Sequence, residues 1–238
     1  MLTTIRFLND LYCKEIDMDI TKLQGVSFIE VKKGDSIIKQ REPIDFVFYM
    51  TEGCLYRILT TMKGDEVLIG IYYAGDFEKS LIGALSLYGN KPPYGKGMAS
   101  TTSFVAKTNC EGYKIPRKVF EDYIAAHPEL ETQLLNFSMD EYNRLLRNYI
   151  SRQEQCVANR FCQLLLEYSL PDEIGTIRSV YISNMDLAGL TGLHKVTISR
   201  IMKALKNEGI IIRDKEGIKI INVPALKIYA EGKVLEYC

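Results

Sequence analysis

The feature that most restricts the fold of this chain is a stretch without glycine or proline that covers residues 129–168. Apolar side chains recur along its first part at the spacing of an α-helix, namely Leu130, Leu134, Phe137, Tyr142, Leu145, Leu146, Tyr149 and Ile150. We therefore predict one long helix over residues 129–155. Such a length is typical of helices that pair with a second copy of the chain, and we expect Phe137 and Leu145 to be buried between subunits. Packing of the helix on its own N-terminal domain is the alternative.

Residues 27–115 show a different pattern, in which short runs of β-branched and aromatic residues are separated by turn residues. The runs include FIEV, FVFYM, LYRIL and VLIGIYY, and Gly-Asp or Glu-Gly pairs follow them. This pattern is typical of an antiparallel barrel or sandwich. We predict an α+β protein whose N-terminal domain is an antiparallel β-barrel.

The C-terminal part carries the pattern of a helix-turn-helix. Ser183 is a suitable N-cap for a first helix, and Gly192 supplies the sharp turn that follows it. A second helix is predicted over residues 194–207. Isoleucine-rich runs at 210–212 and 218–221 flank a polar turn and predict a small β-hairpin, so the whole unit is a winged helix-turn-helix.

The second helix of this motif has a largely polar face that suits DNA, because the N-terminal residues of such a helix reach base edges in the major groove. The candidate DNA-binding residues are His194, Lys195, Val196, Thr197, Ser199, Arg200 and Lys203. Residues 175–238 contain ten Lys and Arg against six Asp and Glu, whereas the rest of the chain contains 20 against 24. A basic excess at this end favours double-stranded DNA as the partner. An ordinary helical hairpin with a solvated basic face is the alternative.

Several classes of protein are excluded by what the sequence lacks. The six cysteines form no CxxC pair and there are only two histidines, so we expect no zinc or iron–sulfur site and no other cofactor. The cysteines are interpreted as reduced thiols that mostly pack in the core, and a redox pair assembled by the fold is the alternative. No catalytic arrangement of side chains occurs in a suitable context, which argues against an enzyme.

The cellular location is predicted from two further absences. No stretch approaches the ~18 consecutive apolar residues of a membrane-spanning helix. The first residues lack the basic start and apolar run of a signal peptide. We therefore expect a cytoplasmic protein without a membrane partner.

The chain resembles the Crp/Fnr family of bacterial transcription regulators over roughly residues 25–223. The most specific stretch is GLHKVTISR at residues 192–200, supported by AGDF at 74–77 and AKTNCE at 106–111. Within the family it is similar to the CprK-type halorespiration regulators, through YYAG at 72–75, SLIG at 80–83 and VTISR at 196–200 in the second helix of the helix-turn-helix.

The resemblance implies a domain arrangement and a set of partners. Residues 1–128 would form an effector-sensing β-barrel, 129–155 the dimerisation helix and 156–238 the winged helix-turn-helix. It implies a homodimer that binds an A·T-rich palindrome with TTAAT-like half-sites, contacts RNA polymerase and acts as an activator. A module that senses a small molecule but acts through protein contacts is the alternative.

The effector implied by the resemblance is not cyclic AMP. Family members that bind cyclic nucleotides carry a Gly-Glu pair and an Arg-Ser or Arg-Thr pair, but this chain has SLIGA at 80–84 and STT at 100–102. The expected pocket lies between barrel and long helix and includes Tyr73, Lys79, Leu81, Gly83, Tyr88, Glu141 and Arg144. Glu141 stands where CprK-type proteins hold a halogenated phenolate with a lysine, and its negative charge is expected to repel that ligand.

Overall fold

The computed structural model describes residues 23–74, 81–88, 99–154, 156–171, 178–180, 182–214 and 217–237. Its N-terminal half consists of two four-stranded antiparallel sheets. The first sheet has the order β1-β8-β3-β6, with β1 at Ser27–Val31, β3 at Phe46–Glu52, β6 at Leu81–Ile82 and β8 at Cys110–Pro116. The second has the order β2-β7-β4-β5, with β2 at Ser36–Ile38, β4 at Cys54–Thr60, β5 at Glu66–Tyr73 and β7 at Ser103–Ala106.

The α+β class is confirmed, but the expectation of a barrel is corrected to two separate sheets. Strand patterns report which residues are extended and which face is apolar, and they carry no information on whether the edge strands meet. Short helices follow the strands: α1 at Ala84–Tyr88 and α2 at Arg117–Ala126.

The second sheet is covered on both faces near β4 and β5. Because successive side chains of a strand point to opposite faces, Leu55 and Tyr72 join the core between the two sheets, whereas Tyr56 and Ile71 join the core of the C-terminal half. The outer face of this sheet is thus the surface on which the C-terminal half is docked.

The long helix α3 covers Pro128–Glu154, with Pro128 at its start. Its inner side packs on the N-terminal sheets through the buried Leu130 and Leu134 and the half-buried Phe137. In the single chain Phe137 is half-buried against its own domain, so its burial between subunits stays a prediction.

A second side of α3 is apolar and exposed. Leu135, Met139, Tyr142, Leu146 and Tyr149 follow one another at alternating spacings of four and three residues, and we call them the outer stripe. Leu145 and Ile150 flank it and are also exposed. This spacing is that of the a and d positions of a coiled coil.

The C-terminal half packs its helices around one apolar core. Its elements are α4 at Val157–Glu167, β9 at Leu170–Pro171, β10 at Arg178–Val180, α5 at Asn184–Thr191, α6 at Lys195–Asn207, β11 at Ile211–Arg213, β12 at Ile218–Ile220 and α7 at Val223–Ala230. The buried Asn159 of α4 donates to the carbonyl oxygens of Tyr229 and Lys233, which ties α4 to the end of α7. The two helices and the hairpin predicted here are confirmed.

The cysteines in the described ranges are free thiols, and Cys54, Cys110 and Cys162 are buried. Burial raises the pKa of Cys54 and that of Cys162 to about 12. A thiol with such a pKa is a poor nucleophile at neutral pH, which agrees with a packing role. Within the same ranges no helix is long and apolar enough to span a membrane.

Candidate DNA interface and effector site

The first helix of the helix-turn-helix, α5, begins with a reciprocal cap. The Ser183 hydroxyl accepts from the Asp186 backbone N–H at 3.2 Å, and the Asp186 carboxylate accepts from the Ser183 backbone N–H at 3.2 Å. The predicted N-cap at Ser183 is confirmed. The pair satisfies two backbone donors that a helix start leaves without partners.

The turn between α5 and α6 depends on Gly192. Its φ of 70° lies in the left-handed region, where a side chain introduces strain, and its N–H donates to the Ala188 carbonyl at 2.8 Å. This closes α5 and redirects the chain within two residues into α6.

The second helix, α6, has a buried side and an outward side. Ile198, Ile201 and Leu205 are completely buried in the C-terminal core. The outward side carries Val196, Ser199, Arg200 and Lys203, whose spacing of three, four and seven residues from Val196 places them in one row. All four are exposed, and Val196 has a relative solvent exposure of 51%.

The remaining predicted DNA-binding residues lie around this row. His194 is the N-cap of α6, and its Nδ1 accepts from the Val196 N–H at 3.4 Å. Lys195 is exposed, whereas Thr197 is half-buried on the flank of the helix. The helix therefore presents a short polar row with one apolar member, Val196, near its positive N-terminal end.

The wing is held against the start of α5. Arg213 of β11 donates to the Asn184 side-chain oxygen, and Lys219 of β12 pairs with Asp214 at 2.7 Å. The first contact fixes the hairpin to the first turn of α5, and the second joins its two strands. The tip of the wing, residues 215–216, lies outside the described part of the chain.

Asp186 also connects the helix-turn-helix to the N-terminal sheets. The Lys107 ammonium lies 3.2 Å from one of its carboxylate oxygens, and the Tyr56 hydroxyl makes a hydrogen bond to the same carboxylate. Burial alone raises the pKa of Asp186, but the hydrogen bonds from Ser183, Tyr56 and Lys107 outweigh it and hold that pKa below its usual value. The ionised carboxylate thus joins the two halves of the molecule at the first turn of α5.

On the other face of the second sheet, five side chains form what we call the Glu141 cluster: Arg57, Tyr72, Glu141, Arg144 and Tyr168. One carboxylate oxygen, Glu141 Oε2, lies 2.7 Å from Arg144 Nη2, 3.2 Å from the Tyr72 hydroxyl and 3.9 Å from Arg57 Nη1. Arg144 Nη1 donates to the Tyr168 hydroxyl at 2.6 Å. The cluster joins β4 and β5 to α3 and to the residue after α4.

The cluster is largely shielded from water, and its surroundings change the pKa values of Tyr72, Tyr168 and Arg144. Burial raises the pKa of Tyr168 to about 12, although Arg144 opposes the shift. Burial also works to lower the pKa of Arg144, but Tyr168 and Glu141 outweigh it and raise that pKa. The phenols of Tyr72 and Tyr168 and the guanidinium group of Arg144, whose pKa values are all raised, therefore keep their protons at neutral pH.

The structure brings some of the expected effector residues together and separates others. Glu141 and Arg144 are paired, whereas Leu81 and Gly83 lie in the core between the sheets. Tyr73 packs against the C-terminal core, on the opposite face of β5 from Tyr72. Lys79 lies outside the described residues, and Tyr88 is the last residue of α1.

Sequence reasoning missed Arg57, Tyr72 and Tyr168. The one available signal was Arg57, a charged residue inside the apolar strand LYRIL. Its Nε donates to Thr102 Oγ1 at 3.1 Å. Arg57 of β4 thus lies next to the STT segment at residues 100–102, which contains no arginine of its own.

The effect assigned to Glu141 is also revised by this geometry. Alone it would repel an anion, as expected from the sequence. Two guanidinium groups surround it, however, so the cluster carries a net positive charge.

Comparisons with known proteins divide the chain in the same way. Residues 28–127 match the cyclic nucleotide-binding domain, and residues 159–229 match the Crp-like helix-turn-helix domain. The chain is 22% identical over 179 residues to the cAMP-activated global transcriptional regulator CRP of Salmonella typhimurium, an alignment that covers 74% of this chain and 80% of that protein.

Solved structures share the fold over most of its length. FixK2 from Bradyrhizobium japonicum superposes with a TM-score of 0.69 at 16% identity, covering 89% of this chain and 99% of that chain. CprK complexed with OCPA superposes with a TM-score of 0.63 at 19% identity, covering 88% of this chain and 91% of that chain. The characterised relatives are transcription regulators and not enzymes.

Proposed function

Since this chain belongs to the Crp/Fnr family of transcription regulators, we propose that it is an activator that binds an A·T-rich inverted repeat as a homodimer, under the control of a small effector other than cyclic AMP. The observation that carries the proposal is the outward row of α6, where Val196, Ser199, Arg200 and Lys203 are exposed beside the wing. A helix of this kind fits the major groove and offers donors to bases and phosphates.

The proposed division of labour follows the expected domains. Residues 1–128 sense the effector, 129–155 dimerise and 156–238 bind DNA. The outer stripe of α3 supports dimerisation, since exposed apolar side chains at coiled-coil spacing bury best against a second copy of themselves. A two-fold dimer in turn calls for a two-fold operator.

The choice of effector rests on the residues at positions 80–84 and 100–102, which differ from the cyclic nucleotide-binding pattern. The roles of activator and RNA polymerase partner rest on the family resemblance, and a protein that binds chromosomal DNA and RNA polymerase works in the cytoplasm. Action through protein contacts alone would give no steep dependence on salt, whereas release of counterions from DNA does.

The identity of the bases read by α6 depends on Val196. Fnr-type proteins resemble this chain here but place a glutamate at this position, and a carboxylate accepts from cytosine N4. The Val196 methyl groups accept nothing and instead pack on the C5-methyl group of thymine. This favours an A·T pair, and half-sites like TTAAT.

A Val196→Glu variant is expected to change operator preference. Its affinity for TTGAT-like half-sites relative to TTAAT-like half-sites should rise by about 1–3 kcal/mol, or about 5- to 150-fold. Fluorescence anisotropy with both duplexes measures the ratio. A matched wild-type titration uses the TTAAT duplex with uracil in place of the contacted thymine, which removes only the methyl group and should weaken binding. An unchanged operator ratio in the variant would mean that Val196 does not face the bases.

A further inference from the structure

The Glu141 cluster has an imbalance of charge. It contains two guanidinium groups, Arg57 and Arg144, but one carboxylate, Glu141. The side chains are largely shielded, with 29%, 16% and 18% of their surfaces exposed for Arg57, Arg144 and Glu141. A positive charge that is removed from water without a partner is costly. The Glu141 cluster therefore favours the binding of an anion.

The cluster is also short of an acceptor. Arg57 Nε donates to Thr102, Arg57 Nη1 to Tyr72, and Arg144 uses Nη1 and Nη2 for Tyr168 and Glu141. Arg144 Nε is buried and has no acceptor among the residues that the structure describes. A buried guanidinium N–H without an acceptor costs as much as a lost hydrogen bond to a charged group.

We infer that Arg57 and Arg144 form a binding site for a small organic carboxylate, and that Glu141 occupies part of this site with its own carboxylate. A carboxylate matches the planar fork of a guanidinium with two parallel hydrogen bonds. It supplies both the missing negative charge and the missing acceptor, whereas a water molecule supplies only the acceptor. The rings of Tyr72 and Phe104, with centroids 5.6 Å apart, give the site an apolar wall beside Arg57.

This inference rests on the proposed function, because the site lies where the effector is expected to act between sheets and long helix. Glu141 then serves as an internal counter-anion that joins Arg57 of β4 to Arg144 of α3 while the site is empty. A carboxylate ligand competes with Glu141 for these two arginines, so its arrival changes how α3 is held on the sheets.

The test measures the thermal unfolding midpoint of the full chain while sodium acetate replaces sodium chloride at constant ionic strength. Acetate should raise the midpoint with saturation, because a ligand of the native state stabilises it. In Glu141→Gln, which keeps an acceptor for Arg144 but removes the competing charge, the dissociation constant for acetate should fall at least about tenfold. Arg144→Gln should abolish the response. The matched control is Asp140→Asn, an exposed neighbour on α3, which should respond like the wild type.

Equal midpoints in acetate and chloride for both the wild type and Glu141→Gln would overturn the inference, as would an acetate response that Arg144→Gln retains. Binding of the inverted-repeat duplex is measured on the same samples. Loss of duplex binding by the wild type contradicts the proposed function, whereas loss of the acetate response alone contradicts only the carboxylate site.

Discussion

A chain that carries Met139→Glu together with Leu146→Glu is expected to be a monomer whose affinity for the inverted repeat is lower by roughly 10²–10⁴-fold, the usual gain from joining two binding units. Both residues belong to the outer stripe, and both are exposed in the single chain, Met139 by 50% and Leu146 by 39%. Dimerisation would bury both positions. A glutamate that is removed from water without a partner is strongly unfavourable. Sedimentation and anisotropy on the same preparation measure the two effects.

The matched control for this variant is Asp140→Lys, which reverses a charge on α3 at an exposed b position, off the outer stripe and its flanks. It should leave the dimer and the affinity unchanged. A double variant that still sediments as a dimer, or a monomer that binds the inverted repeat as tightly as the wild type does, would show that the outer stripe is not the interface.

Loss of Arg200 should produce the largest change among the single residues that face DNA. Arg200→Ala is expected to cost about 1–3 kcal/mol of binding free energy if the guanidinium contacts a base, and to relax the preference at one base pair. Lys195→Ala is the comparison, because its exposed ammonium lies at the N-terminal end of α6 and is expected to contact a phosphate. It should weaken all duplexes alike and make the salt dependence shallower.

Anisotropy titrations against every single-base variant of one half-site, at several salt concentrations, separate these effects. If Arg200→Ala weakened binding to every single-base variant by the same factor, Arg200 would be assigned to a contact with the DNA backbone. If Lys195→Ala instead lost the preference at a single base pair, Lys195 would be the residue that contacts a base.

The parts of the fold that sequence analysis predicted well are those governed by neighbours in the chain. Ser183 caps α5 because its hydroxyl reaches a backbone N–H three residues away, and Gly192 adopts a positive φ because it has no side chain. The apolar spacing in α6 follows from the helical repeat alone. Each of these features can be evaluated from a few adjacent residues.

The features that were missed depend on contacts between distant segments. A change of register between Arg57 and Ile58, where β4 pairs with β5, affects how side chains are matched across the two strands, and nothing in the sequence marks it. Tyr72 and Tyr73 are adjacent on β5 and point to opposite faces, and the sequence alone does not tell which face meets α3; in the structure it is Tyr72 that contacts Glu141. Likewise, α3 has apolar residues on two sides, and the sequence pattern does not tell which side meets the sheets.

Reading of base pairs by α6 in a two-fold operator is tested by selecting binding sites from a library of random duplexes with the full chain. The wild type should enrich A·T-rich inverted repeats, with half-site centres about one turn of DNA apart. The Val196→Glu variant should enrich half-sites with a G·C pair at the position that Val196 contacts. Enrichment of sequences without a two-fold repeat, or no enrichment by the wild type relative to Arg200→Ala, would contradict reading of a two-fold operator by α6.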